Sequence, residues 1–372
     1  MTATAFGALS TMQKIVWATA ITNAGRDKNF WMSNGFVGQN TEDMSKPIHR
    51  VTELTPTEGG TAAVLPLVSD LVSDGQVGDD MVDGNEEALI NDAIIIQIDQ
   101  LRHGVRSKGK YAEQETVLRF RSLAREKLSF WLADTMDELM FLTVGGVAYT
   151  FNTDGSARAT SRLPDLRFAG DVTAPSTNRV IYAGAATSTA SVVVTETTTW
   201  GLIVQALTRM KRQRVKPIMD RGKPYFVAVL STEAYRDMLL DPTFQTIMSR
   251  AAERGLSKNP LFTNAQVVVQ GVVIYEHNKI FNTLGAASGS KWGAGGTVDG
   301  TSGLVMGAQA LGLATLGAPA YEEEKKDYKN RDGVAYGRMF GLLKPVFRNI
   351  YTNTSEDFGV MLLRNAAAEN PA

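Results

Sequence analysis

From Glu113 to Phe141 the chain carries neither glycine nor proline, and this stretch constrains the fold more than any other feature. Apolar residues fall at Val117, Phe120, Leu123, Ala124, Leu128, Trp131, Met136, Leu139 and Met140. They recur mostly at gaps of three and four, the spacing of one helix face. Arg119, Glu126, Asp134 and Asp137 mark the opposite side. Glu115 and Arg119 stand four apart in the favoured order for a supporting ion pair. Gly145-Gly146 supplies a stop. At ~1.5 Å per residue the helix is on the order of 40 Å long. A one-sided rod of that length needs a sheet or another helix along it.

What precedes the rod cannot supply a compact partner. The first fifty residues have few regular features, with Phe30-Trp31-Met32 and Phe36-Val37 as apolar islands among asparagines and glycines. They read as an extended arm lying on the subunit's own body or on a neighbour. Two β-rich runs follow, Thr61–Val68 and Ala93–Ile98, the second continuing to Val105. The loop between them carries Asp70, Asp74, Asp79, Asp80, Asp83, Glu86 and Glu87 with three glycines. A two-stranded ribbon is only marginally stable alone, so this projecting hairpin reaches for a partner.

Behind the rod the chain becomes compact. Residues 147–198 are rich in Thr, Ser and Ala, with a candidate strand at Ser191–Thr195. A second helix runs from Thr199 to about Arg214, with Leu202, Ala206, Leu207 and Met210 on one side. Its basic end (Arg209, Lys211, Arg212, Arg214, Lys216) complements the helix dipole, with nucleic-acid contact the alternative that lacks interleaved aromatics. Pro224–Leu230 reads as a buried strand, Ser231 or Thr232 as the cap of a further helix, and Val267–Tyr275 as a strand pair around Gly271. The alternation gives an α/β or α+β unit. The chain then returns to β at Gly333–Phe347 and Phe358–Leu363. The charged run Glu322–Lys329 reads as an exposed turn, and the glycine-rich stretch 285–300 as a flexible surface loop.

Chemistry finds little footing. The 372 residues balance 38 Lys and Arg against 39 Asp and Glu, and the net charge of -1 excludes a strong global field for nucleic acid. Without cysteine there is no disulfide, thiolate nucleophile or cysteine-held metal. The three histidines, His49, His103 and His277, form no paired metal motif. His103 reads as one member of a polar contact. Gly109-Lys110 and Gly222-Lys223 lack the Ser or Thr of a phosphate loop. The acidic cluster matches no EF-hand, although a bound cation remains an alternative to a solvated loop. We assign no catalytic residue, cofactor or metal site. No leader and no membrane span are evident, and the chain reads as soluble and intracellular when made.

Arm, projecting hairpin, long helix, compact unit and returning sheet follow one another in an order that resembles the Hong Kong 97-type fold of tailed-phage major capsid proteins. The sequence is similar to the coat-protein family of the N-four-like phages. Three segments carry the likeness: Asp83-Gly-Asn-Glu-Glu-Ala-Leu, Ile98-Asp-Gln-Leu-Arg-His-Gly-Val-Arg106, and the helix opening near Glu113-Gln-Glu-Thr. Phe130-Trp131 and Pro224–Tyr235 also fit. The resemblance implies an α+β shell subunit without catalysis or cofactor. It would assemble as hexamers and pentamers around double-stranded DNA, without sequence-specific binding.

The resemblance further implies an N-terminal arm at 1–50, an extended loop with its flanks at 51–110, and a peripheral domain with its spine helix at 111–144. Residues 145–198 would form an insertion or connecting subdomain, and 199–318 the axial domain. The peripheral domain would return at 319–363, leaving a C-terminal tail at 364–372. Scaffolding, portal and decoration proteins are the expected partners, with no membrane. The expected location is the virion capsid, after synthesis in the cytoplasm of a bacterial host. We take Asp74, Asp79, Asp80, Asp83, Glu86, Glu87, Arg102, Arg106, Phe30 and Trp31 as candidate inter-subunit contacts. The competing readings are a nanocompartment shell of encapsulin type and an enzyme with a carboxylate or metal site.

Overall fold

A computed structural model describes residues 29–52, 60–68, 74–86, 91–115, 120–220, 222–251, 267–269, 271–349 and 354–368. Most of the expected arm (1–28), the acids Asp70 and Glu87, and Val117 and Arg119 of the long helix lie outside these residues.

The chain enters through a short helical turn, α1 (Phe30–Ser33), and an edge strand, β1 (Ile48–Val51). β2 (Ala62–Val68) and β3 (Asn91–Gln97) pair as an antiparallel ribbon, the expected projecting hairpin. β4 (Asp99–Arg106) leads into α2 (Lys110–Glu115) and the long helix α3 (Phe120–Gly145). α3 ends where the glycine pair predicts. Gly146 adopts φ +65°, its N–H donates to Thr143 O (3.1 Å), and the Val147 N–H donates to Leu142 O (2.9 Å). This closure satisfies carbonyls that the last turn would leave unpaired.

The next stretch is mostly turns and contributes β5 (Val180–Tyr182). After it come α4 (Trp200–Arg212), β6 (Ile218–Asp220), β7 (Lys223–Leu230), α5 (Thr232–Leu240) and α6 (Pro242–Ala251). Thr199 and Ser231 cap α4 and α5 by accepting from the Leu202 and Ala234 N–H groups. The strands β8 (Val267–Val269), β9 (Val272–Glu276), β10 (Gly300–Met306), β11 (Leu311–Lys326), β12 (Arg331–Leu343), β13 (Val346–Asn349), β14 (Thr354–Asp357) and β15 (Val360–Ala366) complete the fold.

Two sheets organise these strands. A four-stranded sheet has the order β1-β11-β12-β4. A seven-stranded sheet runs β5-β15-β10-β7-β9-β8, with β6 paired to β7. In the second sheet Val227, Val229, Leu304, Met306 and Leu362 face the main core, which also takes in α3 and the four-stranded sheet. The alternate residues Phe226, Ala228, Leu230, Val305, Met361 and Leu363 pack against α4 and α5. Burial on both faces explains why β7 reads as an unbroken apolar run.

Several expectations need correction. α3 is not one-sided: beyond Leu132 its sides are nearly all buried, because both sheets close on it. Asp137, read as a polar-face residue, is among the buried ones. Ser191–Thr195 forms no strand. A 3-10 turn covers Thr189–Ser191, and the Glu196 carboxylate collects the N–H groups of Ala185, Ala186 and Val193. The charged run is strand as far as Lys326, and the turn is confined to 327–330. The glycine-rich stretch is a surface loop at 287–290, as expected, but is anchored further on. Trp292 is buried there, and a Cβ on Gly300 would fall 2.0 Å from its ring. The expected domain limits do not follow the sheets. β5, expected in an insertion or connecting subdomain, and β15, expected to straddle the peripheral return and the tail, both pair within the seven-stranded sheet that holds β7 and β10.

Candidate assembly surfaces

The root of the β2–β3 finger is seated on its own subunit. Ala63, Leu65 and Ile96 are buried against Val51, Ala314 and Leu343 on the face of the four-stranded sheet away from α3. Glycines on the sheet make the seat. A Cβ on Gly341 would lie 2.0 Å from Gln97 O, and one on Gly312 would lie 2.9 Å from Ile96 Cδ1. The other face of the ribbon is uncovered, with Val64 and Ile95 more than half exposed.

The finger's loop is uncovered altogether. Every residue from Asp74 to Glu86 is exposed, including Val77, Met81 and Val82. Asp74, Asp79, Asp80, Asp83 and Glu86 all stand on it, with no lysine or arginine among them. Its hydrogen bonds are internal: Gly84 N to Glu86 Oε2 (2.8 Å), Asn85 Nδ2 to Met81 O (3.0 Å), and two backbone turns. Among the described residues no group of three histidines and acids is placed to hold a metal ion.

Arg102 and Arg106 project from β4 on the sheet face opposite α3, both exposed. Their strand partners are glycines, Gly337 and Gly333. The Arg102 stem lies where a Cβ on Gly337 would sit (2.5 Å), so the arginine crosses the neighbouring strand flat. His103 points the other way and packs its ring 4.7 Å from Trp131, in place of the expected polar contact.

Phe30 and Trp31 turn inward instead. Asn29 Oδ1 caps α1 through the Met32 N–H (3.0 Å), and Asp137 Oδ2 accepts from the Phe30 N–H at 2.9 Å. Trp31 is completely buried with its ring 4.6 Å from Phe141. Phe30 packs on Phe141 and on the His277 ring. Trp31 therefore offers no surface to a neighbour, and its assignment as an inter-subunit contact is corrected. Burial of the large ring on α3 outweighs any contact it could make outside. Burial raises the Asp137 carboxyl to about 6, against the pull of the Phe30 N–H and the Lys279 charge. Burial, and then Lys279, lowers His277 to about 4.

Sequence reading missed an ionic cluster in the interior. Arg179 Nη2 meets Glu356 Oε2 at 3.2 Å, and Lys344 Nζ lies 3.1 Å from Asp357 Oδ1, with all four side chains essentially inaccessible. Burial alone would raise Glu356. Hydrogen bonds from Asn178, Asn349 and Thr354 and the Arg179 charge hold it below its usual value. The signal available was Glu356-Asp357 set directly before the apolar Phe358–Leu363.

A long helix buried between two sheets, an uncovered finger and an arm turn stapled to that helix define a shell subunit of the α+β, Hong Kong 97-type fold. Residues 5–369 match the model of the phage capsid protein family, and the chain belongs to that family. It is 39% identical over 375 residues to the major capsid protein of Pseudomonas phage KPP25, covering 98% of both chains. Among solved structures it is similar to the capsid of Ralstonia phage GP4, with a TM-score of 0.76, 25% identity and 93% coverage of each chain. The capsid subunit of cyanophage Pam1 shares the fold at a TM-score of 0.67 and 20% identity, over 100% of this chain and 99% of that one. The family is structural, and the protein is a component of a multimeric phage capsid. This membership favours the phage shell over the nanocompartment and enzyme readings.

Proposed function

We propose that this subunit tiles a closed icosahedral head, as hexamers and pentamers, around double-stranded DNA. The carrying observation is the loop 74–86, exposed throughout and, among the described residues, hydrogen-bonded only to itself. A chain gains nothing from an ordered apolar and acidic tip in water unless a neighbour covers it. The finger and Arg102 and Arg106 then serve as contacts between copies. The body on α3 and the four-stranded sheet corresponds to the peripheral domain. The seven-stranded sheet with α4 and α5 corresponds to the axial domain, now including β5 and β15. The near-neutral charge suits a wall that holds DNA without gripping it, since adhesion grows with each cation facing phosphate. Scaffolding, portal and decoration proteins complete assembly in the cytoplasm of the bacterial host, and the subunit performs no catalysis.

The test is deletion of Asp74 to Gly84. The variant is expected to remain a folded, soluble subunit by circular dichroism yet form no closed particles by sedimentation or electron microscopy. Normal particles from the deletion variant would refute the finger's role, and a wild-type protein that stays monomeric under all assembly conditions would refute the tiling.

A further inference from the structure

Between the four-stranded sheet and α3 lie two arginines that meet no acid among the described residues. Arg50 on β1 pairs in register with Leu313 of β11, and Leu313 pairs with Leu342 of β12. Arg338 shares the Leu342 face of β12, because side chains alternate along a strand. It stands where the β11 register shifts between Leu316 and Ala320, so no β11 residue pairs with it. Arg338 is 9% exposed. The single hydrogen-bond partner its guanidinium finds among the described residues is the weak acceptor Met136 Sδ, 3.9 Å from Nη1. The Nε atoms of both arginines are buried and have no partner. Burial, and then the charge of Arg50, lowers Arg338, and no carboxylate opposes them. Guanidinium groups keep their protons under such pressure, so both stay cationic, Arg338 buried and Arg50 half-buried. Removing an ion from water without a counter-ion is costly, and a carboxylate in reach lowers that cost more than it would at the surface.

The same chain carries the converse. The loop 74–86 holds five acids and no base, all exposed, and among the described residues it bonds only to itself. Arg102 and Arg106 could also attract it. They are exposed and already hydrated, and surface ion pairs contribute little. Arg338, the buried member, is where a carboxylate gains most. It can be approached through Arg50, which is half-buried on the edge strand of its sheet.

We propose that a carboxylate from the loop 74–86 of one copy completes the Arg50–Arg338 pair of a neighbouring copy. The inference rests on the shell reading above and names the surface that receives the finger. Neutralisation occurs only between copies, so a lone subunit retains an unsatisfied charge that assembly relieves.

The test is a coupling cycle on assembled particles. The loop substitution Asp79→Asn/Asp80→Asn/Asp83→Asn is made in the wild-type and the Arg338→Met backgrounds, and free subunit is measured by sedimentation after mild denaturant. In the wild type the loop substitution should raise the free-subunit fraction about tenfold. In the Arg338→Met background it should change it less than about twofold. Should Arg338→Met fail to fold, Arg50→Met takes its place in the cycle. Equal loop effects in both backgrounds would overturn the proposal while leaving the shell intact. It would also be overturned if inorganic phosphate, against chloride at equal ionic strength, raised the melting temperature of the wild-type subunit but not of Arg338→Met. The pair would then take a free anion. Failure of the wild type to form particles at all would count against tiling instead.

Discussion

Gly146 shows how much of this fold hangs on single positions. Its φ of +65° suits glycine, and a Cβ there would fall 2.5 Å from Thr173 O and 2.9 Å from Pro175 Cδ. Gly146→Ala is expected to cost at least about 2 kcal/mol, read by denaturant unfolding, since left-handed strain and a backbone clash add. Gly75→Ala, at φ +74° with nothing within 4 Å, isolates the strain and should cost about 1 kcal/mol. Asp137 and His277 make a second case, as Phe30 touches both. Asp137 sits near 6 when folded against 3.8 unfolded, so the native state gains stability as pH falls through that interval. His277 sits near 4 against 6.5, so the native state loses stability over nearly the same interval. Their opposition should leave the wild type nearly flat in melting temperature from pH 6.5 to 4. Asp137→Asn should fall on acidification and His277→Phe should rise; matching slopes in all three would refute the pairing.

At the scale of elements, the finger depends on the absence of side chains beneath it. Gly341 has no room for a Cβ because Gln97 O would lie 2.0 Å away. Gly341→Ala should lift the finger's root and expose it to limited proteolysis before the body unfolds. Leu128→Pro should cost ~3 kcal/mol or more by breaking α3, and soluble, normally assembled mutant particles would contradict the helix. Much of the architecture was legible in the sequence. The α3 stop, the helix start at Thr199, the cap at 231–232, the β7 run and the β2–β3 hairpin all rest on local signals. What stayed hidden was tertiary. Periodicity placed Asp137 on a polar face, and only the α1 turn packed across α3 explains a carboxylate there. The apolar island Phe30-Trp31 was visible, but not that Phe141 would receive it. The cluster of Arg179, Lys344, Glu356 and Asp357 joins segments far apart in the chain, which no local pattern reports.

In the molecule as a whole, that cluster ties the turns before β5 to the β13–β14 hairpin. Asp357→Ala would leave Lys344 buried and unpaired, and should cost about 3–5 kcal/mol by thermal unfolding. The double change Lys344→Met/Asp357→Leu should recover most of that loss. More consequential is the main core, in which α3 and side chains of both sheets share one packed interior. Close-packed interiors resist bending, so the body has no waist at which to hinge. A curved wall presents its bricks with unequal neighbours, and a stiff brick can meet them only through its appendages. Copies taken from differently curved places should superpose closely over the body while their fingers diverge. Mortar, rather than masonry, would then set the radius of the vessel.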